Sequence, residues 1–223
     1  MSTATVHLVR HGDVENPTGL LYGRLSGYHL SELGRTMAER VGAHFADVPL
    51  VHLRCSPLER AQETMAPIAE RHPELTVHTD GRVIESANHL EGQVITARGV
   101  LTNGRNLWLF RNPVRPTWGE AYTEIVTRMR QAVRDAAAAA VELVGDGGQA
   151  LIVSHQLPIW MARCDAEGRR LAHDPRRRVC TLASVTSLHL IDGRVTSVSY
   201  AEPAADLLPV KQKASSKAFA AGA

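Results

Sequence analysis

The chain has 223 residues, 44% of them hydrophobic and 22% charged, and its formal net charge is +2. These values are ordinary for one folded domain with a sizeable core, and the small net charge gives no support to binding of nucleic acid or of a membrane surface. The sequence has neither a signal-peptide pattern nor an apolar run of about 18 residues. Its three cysteines are widely spaced and odd in number, which fits neither a disulfide framework nor a metal site and favours a reducing cytoplasm.

The first predicted strand covers residues 3–9 and is followed by an arginine, a histidine and a glycine. Apolar residues at positions 4, 6, 8 and 9 suit a buried strand, and Gly12 permits a tight exit from it. Packing alone gives no reason for an arginine beside a histidine at this point. Arg10 and His11 are therefore the first candidates for a functional site.

A long loop separates this strand from the first predicted helix. Residues 13–30 are rich in Gly, Pro, Asn and Tyr, and long loops beside strand ends often carry function. Ser31 is a favourable N-cap, and apolar residues recur at helical spacing to about residue 46. A second short strand is predicted over residues 50–54.

The second helix has a strong predicted start. Ser56 is a favourable N-cap, Pro57 suits the first helical position, and Glu59 lies three residues after the serine. This start places Arg60 in the first turn of the helix, just beyond the end of the second strand.

The middle of the chain is less regular. A weak third strand at 75–78 leads to Glu85, which brings a carboxylate near the same edge of the sheet. Residues 86–118 show no clean period, so this segment is either a packed peripheral loop or a cap over a site.

The remaining predicted elements continue the alternation of strands and helices. They are a helix at about 119–144, a buried strand at 150–153 followed by His155, a helical stretch at 159–164, and two strands at 185–191 and 195–200 around an Asp192-Gly193 hairpin turn. Residues 204–223 are rich in Ala, Ser and Lys and are predicted to be a disordered tail, which leaves residues 1–203 as a single domain.

Strands that alternate with helices predict a mostly parallel sheet with helices on both faces, and ligands bind such sheets outside the carboxyl ends of the strands. Chemically capable side chains follow each of the first four predicted strands. In chain order they are Arg10 and His11, Arg60, Glu85, and His155. We therefore expect these side chains to form one site.

Phosphoryl transfer is the chemistry that needs this set of side chains. Two arginines provide planar forks for phosphate oxygens, one histidine can attack phosphorus, and a second can hold a phosphoryl oxygen. A carboxylic acid can protonate the leaving alkoxide. Because arginine and histidine supply positive charge, no metal or other cofactor is required.

Four motifs follow one another along the chain. They are Arg10-His11-Gly12, Leu30-Ser31-Glu32-Leu33-Gly34, Cys55-Ser56-Pro57-Leu58-Glu59-Arg60-Ala61 with Thr64, and Val153-Ser154-His155. In this order they resemble the histidine phosphatase superfamily, also called phosphoglycerate mutase-like, over roughly residues 5–200. The resemblance implies a three-layer α/β/α sandwich with a mostly parallel, mixed six-stranded sheet and a small variable cap at about 86–118.

The resemblance also implies roles for individual residues. His11 would be the nucleophile that becomes phosphohistidine, Glu85 would be the proton donor, and the phosphate pocket would contain Arg10, Gly12, Arg60 and His155. Asn16 stands one position earlier than the asparagine often found in the family, and it is a further candidate for substrate binding.

Two other segments depart from the family pattern. The stretch from Glu85 to Gly92 keeps a final Glu-Gly but is short, which leaves Glu91 as the alternative acid and His89 as a candidate substrate contact. The basic cluster with which mutases hold a second phosphate is not recognisable. Four arginines of the cap could bind an acidic substrate or simply be solvated; they are Arg98, Arg105, Arg111 and Arg115.

A metal-independent phosphatase acting on a small phosphorylated metabolite is the leading interpretation. A mutase that returns the phosphoryl group to a second acceptor and a non-catalytic module that binds phosphorylated ligands stay open as alternatives. A homodimer also stays open, and no nucleic acid or membrane partner is expected.

Overall fold

The computed structural model describes residues 1–94 and 119–208, and its central element is a mixed six-stranded sheet. The strands, in chain order, are β1 (Thr3–Arg10), β2 (Leu50–Cys55), β3 (Val77–Thr79), β4 (Gly148–Ser154), β5 (Val185–Ile191) and β6 (Arg194–Ala201). Their order across the sheet is β3-β2-β4-β1-β5-β6. The first four of these are mutually parallel, and β5 and β6 pair antiparallel, which confirms the mostly parallel, mixed sheet.

Four α-helices cover the sheet within the described residues. They are α1 (Glu32–Phe45), α2 (Glu59–Ala69), α3 (Tyr122–Val144) and α4 (Gln156–Ala166). Short 3₁₀ turns lie at Gly81–Val83, Pro175–Arg177 and Ala205–Leu207. None of the helices in the described ranges is both long and apolar enough to cross a membrane.

The alternation of side chains along the central strands builds a core on each face of the sheet. In β4, Ile152 packs in the cluster that contains α3 and α4, whereas Leu151 and Val153 pack in the cluster that contains α1 and α2. In β1, Leu8 and Val9 divide between the same two clusters. Each such fully buried aliphatic side chain stabilises the fold by about 1.5–3 kcal/mol. Coverage on both faces is the reason that these strands read as continuous apolar runs.

The strand order places the carboxyl ends of β1, β4 and β2 side by side. Arg10 in β1 is in register with Ser154 in β4, and Cys55 in β2 is in register with Val153 in β4. The His11 N–H donates to the Ser154 carbonyl oxygen at 3.2 Å, which continues the pairing one residue past β1. Residues that are more than a hundred positions apart in sequence therefore leave the sheet at one point.

The C-terminal end of the domain differs from the sequence prediction. The tail was expected to begin at Ala204, but Ala204 and Leu208 are 1% and 3% exposed and pack in the core on the α1 and α2 face. The apolar contacts of Ala204 and Leu208 thus order this short segment, and the folded chain reaches Leu208. Residues 209–223 lie outside the described residues, as do residues 95–118 of the expected cap with its four arginines.

The turn after β1 crosses directly over the first turn of α1. Ser31 caps this helix as predicted, because its hydroxyl accepts the Gly34 N–H and donates to the Asp13 carboxylate at 2.7 Å. A β-carbon on Gly12 would lie 2.5 Å from the Gly34 carbonyl oxygen. Only glycine at both positions lets the two backbones approach this closely, and the approach sets where His11 lies.

Replacement of Gly34 by alanine tests this contact. Alanine in a helix is normally more favourable than glycine by about 1 kcal/mol. Here the new β-carbon would collide with the Asp13 carbonyl oxygen, which is backbone and cannot rotate away. We expect Gly34→Ala to lower the free energy of unfolding by about 1–3 kcal/mol, measured by denaturant titration.

Gly81→Ala is the matched control, because a β-carbon there meets no atom within 4 Å. It should be neutral or slightly stabilising. Equal effects of the two substitutions would contradict the close approach at Gly34.

Candidate active site

His11 is a buried histidine immediately after β1, with 2% of its surface exposed. Its Nδ1 lies 2.8 Å from the Gly12 carbonyl oxygen and carries the proton, because a carbonyl oxygen can only accept. The other ring nitrogen, Nε2, is left with a free lone pair. Burial, and then the positive charges of Arg10 and Arg60, hold the pKa of His11 well below 6.5. His11 is thus neutral at pH 7, and its Nε2 can act as a nucleophile.

His155 follows β4 and is fully buried, with its ring centroid 5.1 Å from that of His11. Its Nε2 lies 2.7 Å from the Ser56 Oγ, and that oxygen also accepts the Leu58 N–H at 3.4 Å. The Ser56 hydroxyl can donate to Nε2, and in that tautomer the histidine proton lies on Nδ1. This Nδ1 has no hydrogen-bond partner within the described residues. Burial is the main reason that the pKa of His155 lies well below 6.5.

The contact with His155 corrects the predicted role of Ser56. The sequence indicated that Ser56 caps the second helix, but α2 begins at Glu59 and its N-cap is Leu58, which makes no side-chain cap hydrogen bond. The serine hydroxyl faces the neighbouring strand end and bonds to the histidine instead. From the sequence alone, a serine that caps a helix looks the same as a serine that bonds to a histidine. The strand order, which places Ser56 beside His155, decides between the two roles.

Arg60 is a fully buried guanidinium in the first turn of α2. Its Nη2 donates to the Gly23 carbonyl oxygen at 2.6 Å, and the group lies 4.8 Å from the centroid of the Tyr22 ring. Its Nε and Nη1 have no acceptor within residues 1–94 and 119–208. An unsatisfied buried donor costs about 1–3 kcal/mol, and more when it is charged, so an incoming anion would be bound strongly.

Arg10, at the end of β1, has the same arrangement. Its Nη1 donates to the Cys180 carbonyl oxygen at 2.7 Å, and its Nε has no partner in the described part of the chain. Each arginine is thus fixed through one N–H group by a carbonyl oxygen and has others open. Planar guanidinium forks match the spacing of phosphate oxygens.

A cleft of about 270 Å³ opens at this edge of the sheet. Its lining includes Arg10, His11, Tyr22, Glu85, Gln156 and Arg178, whereas the fully buried Arg60 and His155 are not among the lining residues. Glu85 is held in part by the Ser86 N–H, which donates to its Oε1 at 2.8 Å. The structure therefore brings a carboxyl group and an unprotonated histidine nitrogen to the same cleft.

Glu91, the alternative acid, is occupied elsewhere. Its Oε1 accepts the N–H groups of Arg24 at 3.1 Å and Asn88 at 3.2 Å, and it does not line the cleft. Its side chain fills the space beside Gly23, where any β-carbon would collide with the carboxylate. Glu91 anchors the 13–30 loop, and the geometry favours Glu85 as the acid.

The segment that carries Glu85 is clamped by two arginines and a second glutamate. Arg24 donates through Nε to the Glu85 carbonyl oxygen at 2.7 Å and pairs with Glu120 at 2.9 Å. Arg128, in α3, binds the same Glu120 carboxylate at 2.7 Å and donates to the Ile84 carbonyl oxygen at 2.7 Å. The backbone on both sides of the Glu85 side chain is thereby tied to the 13–30 loop and to α3.

Three residues predicted to bind substrate do not reach the cleft with a free polar group. The Asn16 side chain bonds to both the N–H and the carbonyl oxygen of Leu20, so it closes its own loop. The Gly12 N–H donates to the Thr64 hydroxyl at 3.1 Å, and its carbonyl oxygen is used by His11. His89 is exposed and lies outside the cleft lining.

Sequence reasoning missed three side chains of the cleft. Tyr22 lies in the 13–30 loop, which was expected to carry function, and Gln156 directly follows the motif that ends at His155. Both residues are therefore close in sequence to a feature that the sequence analysis identified. Arg178 ends a run of three arginines, and Arg176 in that run is 89% exposed in its side chain. Only the course of the chain after α4 turns Arg178 into the cleft.

Within the described ranges, no group of three or more His, Cys, Asp or Glu side chains is arranged to hold a metal ion. The three cysteines are all buried and free. The residues that line the cleft instead offer guanidinium and imidazole groups.

Fold and cleft together define an α/β protein with a cationic cleft at the carboxyl edge of a mixed sheet. The model of the histidine phosphatase superfamily (branch 1) matches residues 6–203. The chain is also 50% identical over 201 residues to the protein Rv0525 of Mycobacterium tuberculosis, covering 90% of this chain and 96% of that protein. The chain belongs to the histidine phosphatase superfamily, as its motifs predicted.

Solved structures with this fold include enzymes of two kinds. A mycobacterial glucosyl-3-phosphoglycerate phosphatase, Rv2419c, superposes with a TM-score of 0.70 at 23% identity, covering 89% of this chain and 96% of that one. A phosphoglycerate mutase from Bacillus anthracis gives a TM-score of 0.66 at 20% identity, covering 87% and 91%. These likenesses concern the fold.

The buried histidines predict how stability depends on pH. His11 and His155 have pKa values held well below 6.5, so below that pH the unfolded chain binds protons that the folded chain does not. Stability should therefore fall as the pH falls from about 6.5 through the folded pKa values, by about 1.4 kcal/mol per pH unit for each histidine.

His11→Gln and His155→Gln should each remove about one proton from this slope. The measurement is the free energy of unfolding by denaturant titration at several pH values between 7 and 5, in about half-unit steps. Slopes that are unchanged in both variants would mean that these histidines are not held neutral by burial.

Proposed function

We propose that this protein is a phosphatase that hydrolyses a phosphomonoester through a phosphohistidine on His11. The observation that carries the proposal is the juxtaposition of a neutral histidine, whose Nε2 is free, with buried arginine N–H groups that lack an acceptor in the described residues. A carboxyl group in the same cleft, that of Glu85, completes the set.

The first half-reaction uses these groups in order. Arg10, Arg60 and the Nδ1–H of His155 hold the phosphoryl oxygens and stabilise the charge of the transition state. The Nε2 lone pair of His11 forms a bond to phosphorus as the P–O bond to the leaving group breaks. The leaving oxygen takes the proton of the Glu85 carboxylic acid and departs as an alcohol.

The second half-reaction reverses these roles. The Glu85 carboxylate takes a proton from a water molecule, whose oxygen attacks phosphorus and displaces the His11 nitrogen. Inorganic phosphate leaves, and His11 and protonated Glu85 are restored. Because guanidinium and imidazole groups supply the positive field, the proposal requires neither a metal nor another cofactor.

The substrate class in this proposal is a small phosphorylated metabolite in the cytoplasm. The confined cleft and the free, buried state of the three cysteines support it. A mutase would share the first half-reaction but pass the phosphoryl group to a second acceptor. A binding module would hold the phosphorylated ligand without reacting with it. The appearance of inorganic phosphate separates the phosphatase from the other two, and a rearranged phosphate ester separates the mutase from the binding module.

His11→Ala should abolish turnover and covalent labelling by a phosphorylated substrate. The label is expected on a nitrogen, so it should be stable in base and labile in acid. The measurement is labelling with a ³²P-phosphomonoester in the presence of EDTA, followed by peptide mapping. EDTA should change neither labelling nor turnover.

His155→Ala is the comparison variant, since it should bind phosphate weakly and react slowly while still trapping some label. A label on a residue other than His11, or activity that returns only with a divalent ion, would contradict the mechanism.

Glu85→Gln should affect substrates according to their leaving groups. A general acid contributes about 10²–10⁴-fold when the leaving group needs a proton, as an alkoxide does and a nitrophenolate does not. The variant should therefore lose much more kcat/KM for an alkyl phosphate than for p-nitrophenyl phosphate. Arg60→Ala should slow both by similar factors, because it acts on the phosphoryl oxygens.

Glu91→Gln is the matched control for Glu85→Gln. It removes the same charge at a residue that bonds to the backbone N–H groups of Arg24 and Asn88 and does not itself line the cleft. If Glu91→Gln shows the dependence on the leaving group, or Glu85→Gln slows both substrates equally, the acid has been assigned to the wrong residue.

A further inference from the structure

Arg178 is a cation of the cleft for which the mechanism above has no use. It lies after the 3₁₀ turn at Pro175–Arg177 and lines the same cleft as His11 and Glu85. Within residues 1–94 and 119–208 no carboxylate lies within ion-pair distance of it, whereas Arg176, two residues earlier, is paired with Asp174 at 2.9 Å. A partly buried guanidinium that forms no ion pair at this distance is a candidate to bind an anionic ligand.

The orientation of Arg178 is fixed by a chain of directed hydrogen bonds. The Nδ1–H of His173 donates to the Leu171 carbonyl oxygen at 2.6 Å, so its Nε2 has a lone pair. That Nε2 accepts the Nε–H of Arg178 at 2.8 Å. Burial lowers the pKa of His173, which keeps the ring able to accept this hydrogen bond.

A second contact holds the other side of the guanidinium. Its Nη1 donates to Gln156 Oε1 at 3.4 Å, and the Gln156 amide donates to the Cys180 carbonyl oxygen at 3.3 Å. The Tyr122 side chain also forms a hydrogen bond with Arg178. These contacts use part of the five N–H groups of an arginine and leave the remainder for the cleft. Arg178 is thus held as rigidly as a residue that recognises a ligand needs to be.

Arg178 and Glu85 line one cleft with His11 and Arg10. Arg10 and Arg60 have open N–H groups for the phosphoryl group that is transferred. The charge that acts most strongly on Arg178 is that of Glu85, which in the proposed reaction protonates the leaving oxygen. The lining that Arg178 shares with Glu85 is the reason to assign Arg178 to the leaving group.

We propose that Arg178, with Gln156 beside it, binds a second anionic group on the leaving group of the substrate. The substrate class is then a phosphomonoester of a hydroxy acid or of a second phosphate-bearing alcohol, and not a simple alkyl phosphate. This inference rests on the proposed phosphatase function. It assigns Arg178 to substrate selection, while Arg10 and Arg60 bind the group that is transferred.

Three two-carbon esters test the proposal: ethyl phosphate, phosphoglycolate and ethylene glycol bisphosphate. They share the phosphoryl group and differ in whether the leaving group is neutral, a carboxylate or a second phosphate. The wild-type protein should prefer the anionic esters in kcat/KM by about 10- to 100-fold, the range of a charge-assisted hydrogen-bond pair. The better of the two anionic esters tells which anion the subsite takes.

Arg178→Gln should remove this preference and change kcat/KM for ethyl phosphate by less than about 3-fold, since hydrogen bonding to the phosphoryl oxygens is untouched. Arg178→Lys should restore part of it, because the charge returns without the planar fork. Arg176→Gln is the matched control, a substitution of the same kind in the same loop at a side chain that is 89% exposed. It should keep the preference.

A binding measurement separates failure of this inference from failure of the proposed function. In a His11→Ala background, which blocks turnover, calorimetric affinities for the three esters should show the same preference and the same loss with Arg178→Gln. If no ester is hydrolysed by the unsubstituted protein but the binding preference is present, the phosphatase proposal fails and the subsite stands. If Arg178→Gln weakens all three esters equally, or if no preference exists in either assay, the subsite proposal is overturned.

Discussion

Burial of the Arg60 guanidinium is the condition on which the rest of the cleft depends. Desolvation lowers the pKa of this group, yet an arginine stays charged in a protein, so the fold must surround it with compensating groups. The Gly23 carbonyl oxygen and the Tyr22 ring supply two of them. Both belong to the loop that Glu91 anchors, which explains why a long and apparently irregular loop has a defined path.

Two neighbouring histidines are kept neutral by the same environment but are prepared for different tasks. Burial and nearby arginines depress both pKa values. The Gly12 carbonyl oxygen sets the tautomer of His11, and the Ser56 hydroxyl bonds to Nε2 of His155. The proposed mechanism uses the lone pair at Nε2 of the first ring and the proton at Nδ1 of the second. Protonation of either ring would place a proton on both of its nitrogens and remove the difference between the two rings. The burial that keeps both histidines neutral is therefore also the condition for the proposed chemistry.

The segment that carries Glu85 is connected to the strand ends of the cleft. The backbone beside Glu85 is supported from α3 through Glu120 and Arg128. The Val83 carbonyl oxygen, two residues earlier, accepts the hydroxyl of Ser154 at the end of β4 at 2.6 Å. One connected set of contacts therefore fixes the Glu85 segment relative to the histidine that follows β4.

Much of the fold was determined by the sequence alone. The alternation of apolar runs and helical periods located all six described strands and all four described helices, because central strands buried on both faces must be apolar throughout. The starts of β3, β4, α2, α3 and α4 differ from the prediction by two or three residues. The motifs at the strand exits identified Arg10, His11, Arg60 and His155, since charged groups at such points have no role in packing. The predicted C-terminal end of the domain, residue 203, is five residues before Leu208, the last buried residue described. The isolated contacts of Ala204 and Leu208 with the core leave no periodic signal in the sequence.

Only the tertiary structure decided which groups meet. No local sequence pattern predicts the position of β4 between β1 and β2. This position brings Ser56 into contact with His155, and His155 into contact with His11. For the same reason an exposed-looking arginine, Arg178, became part of the cleft. Periodicity and motifs act over a few residues, whereas contacts between strand exits depend on how the sheet is ordered, and that order results from packing of the whole chain.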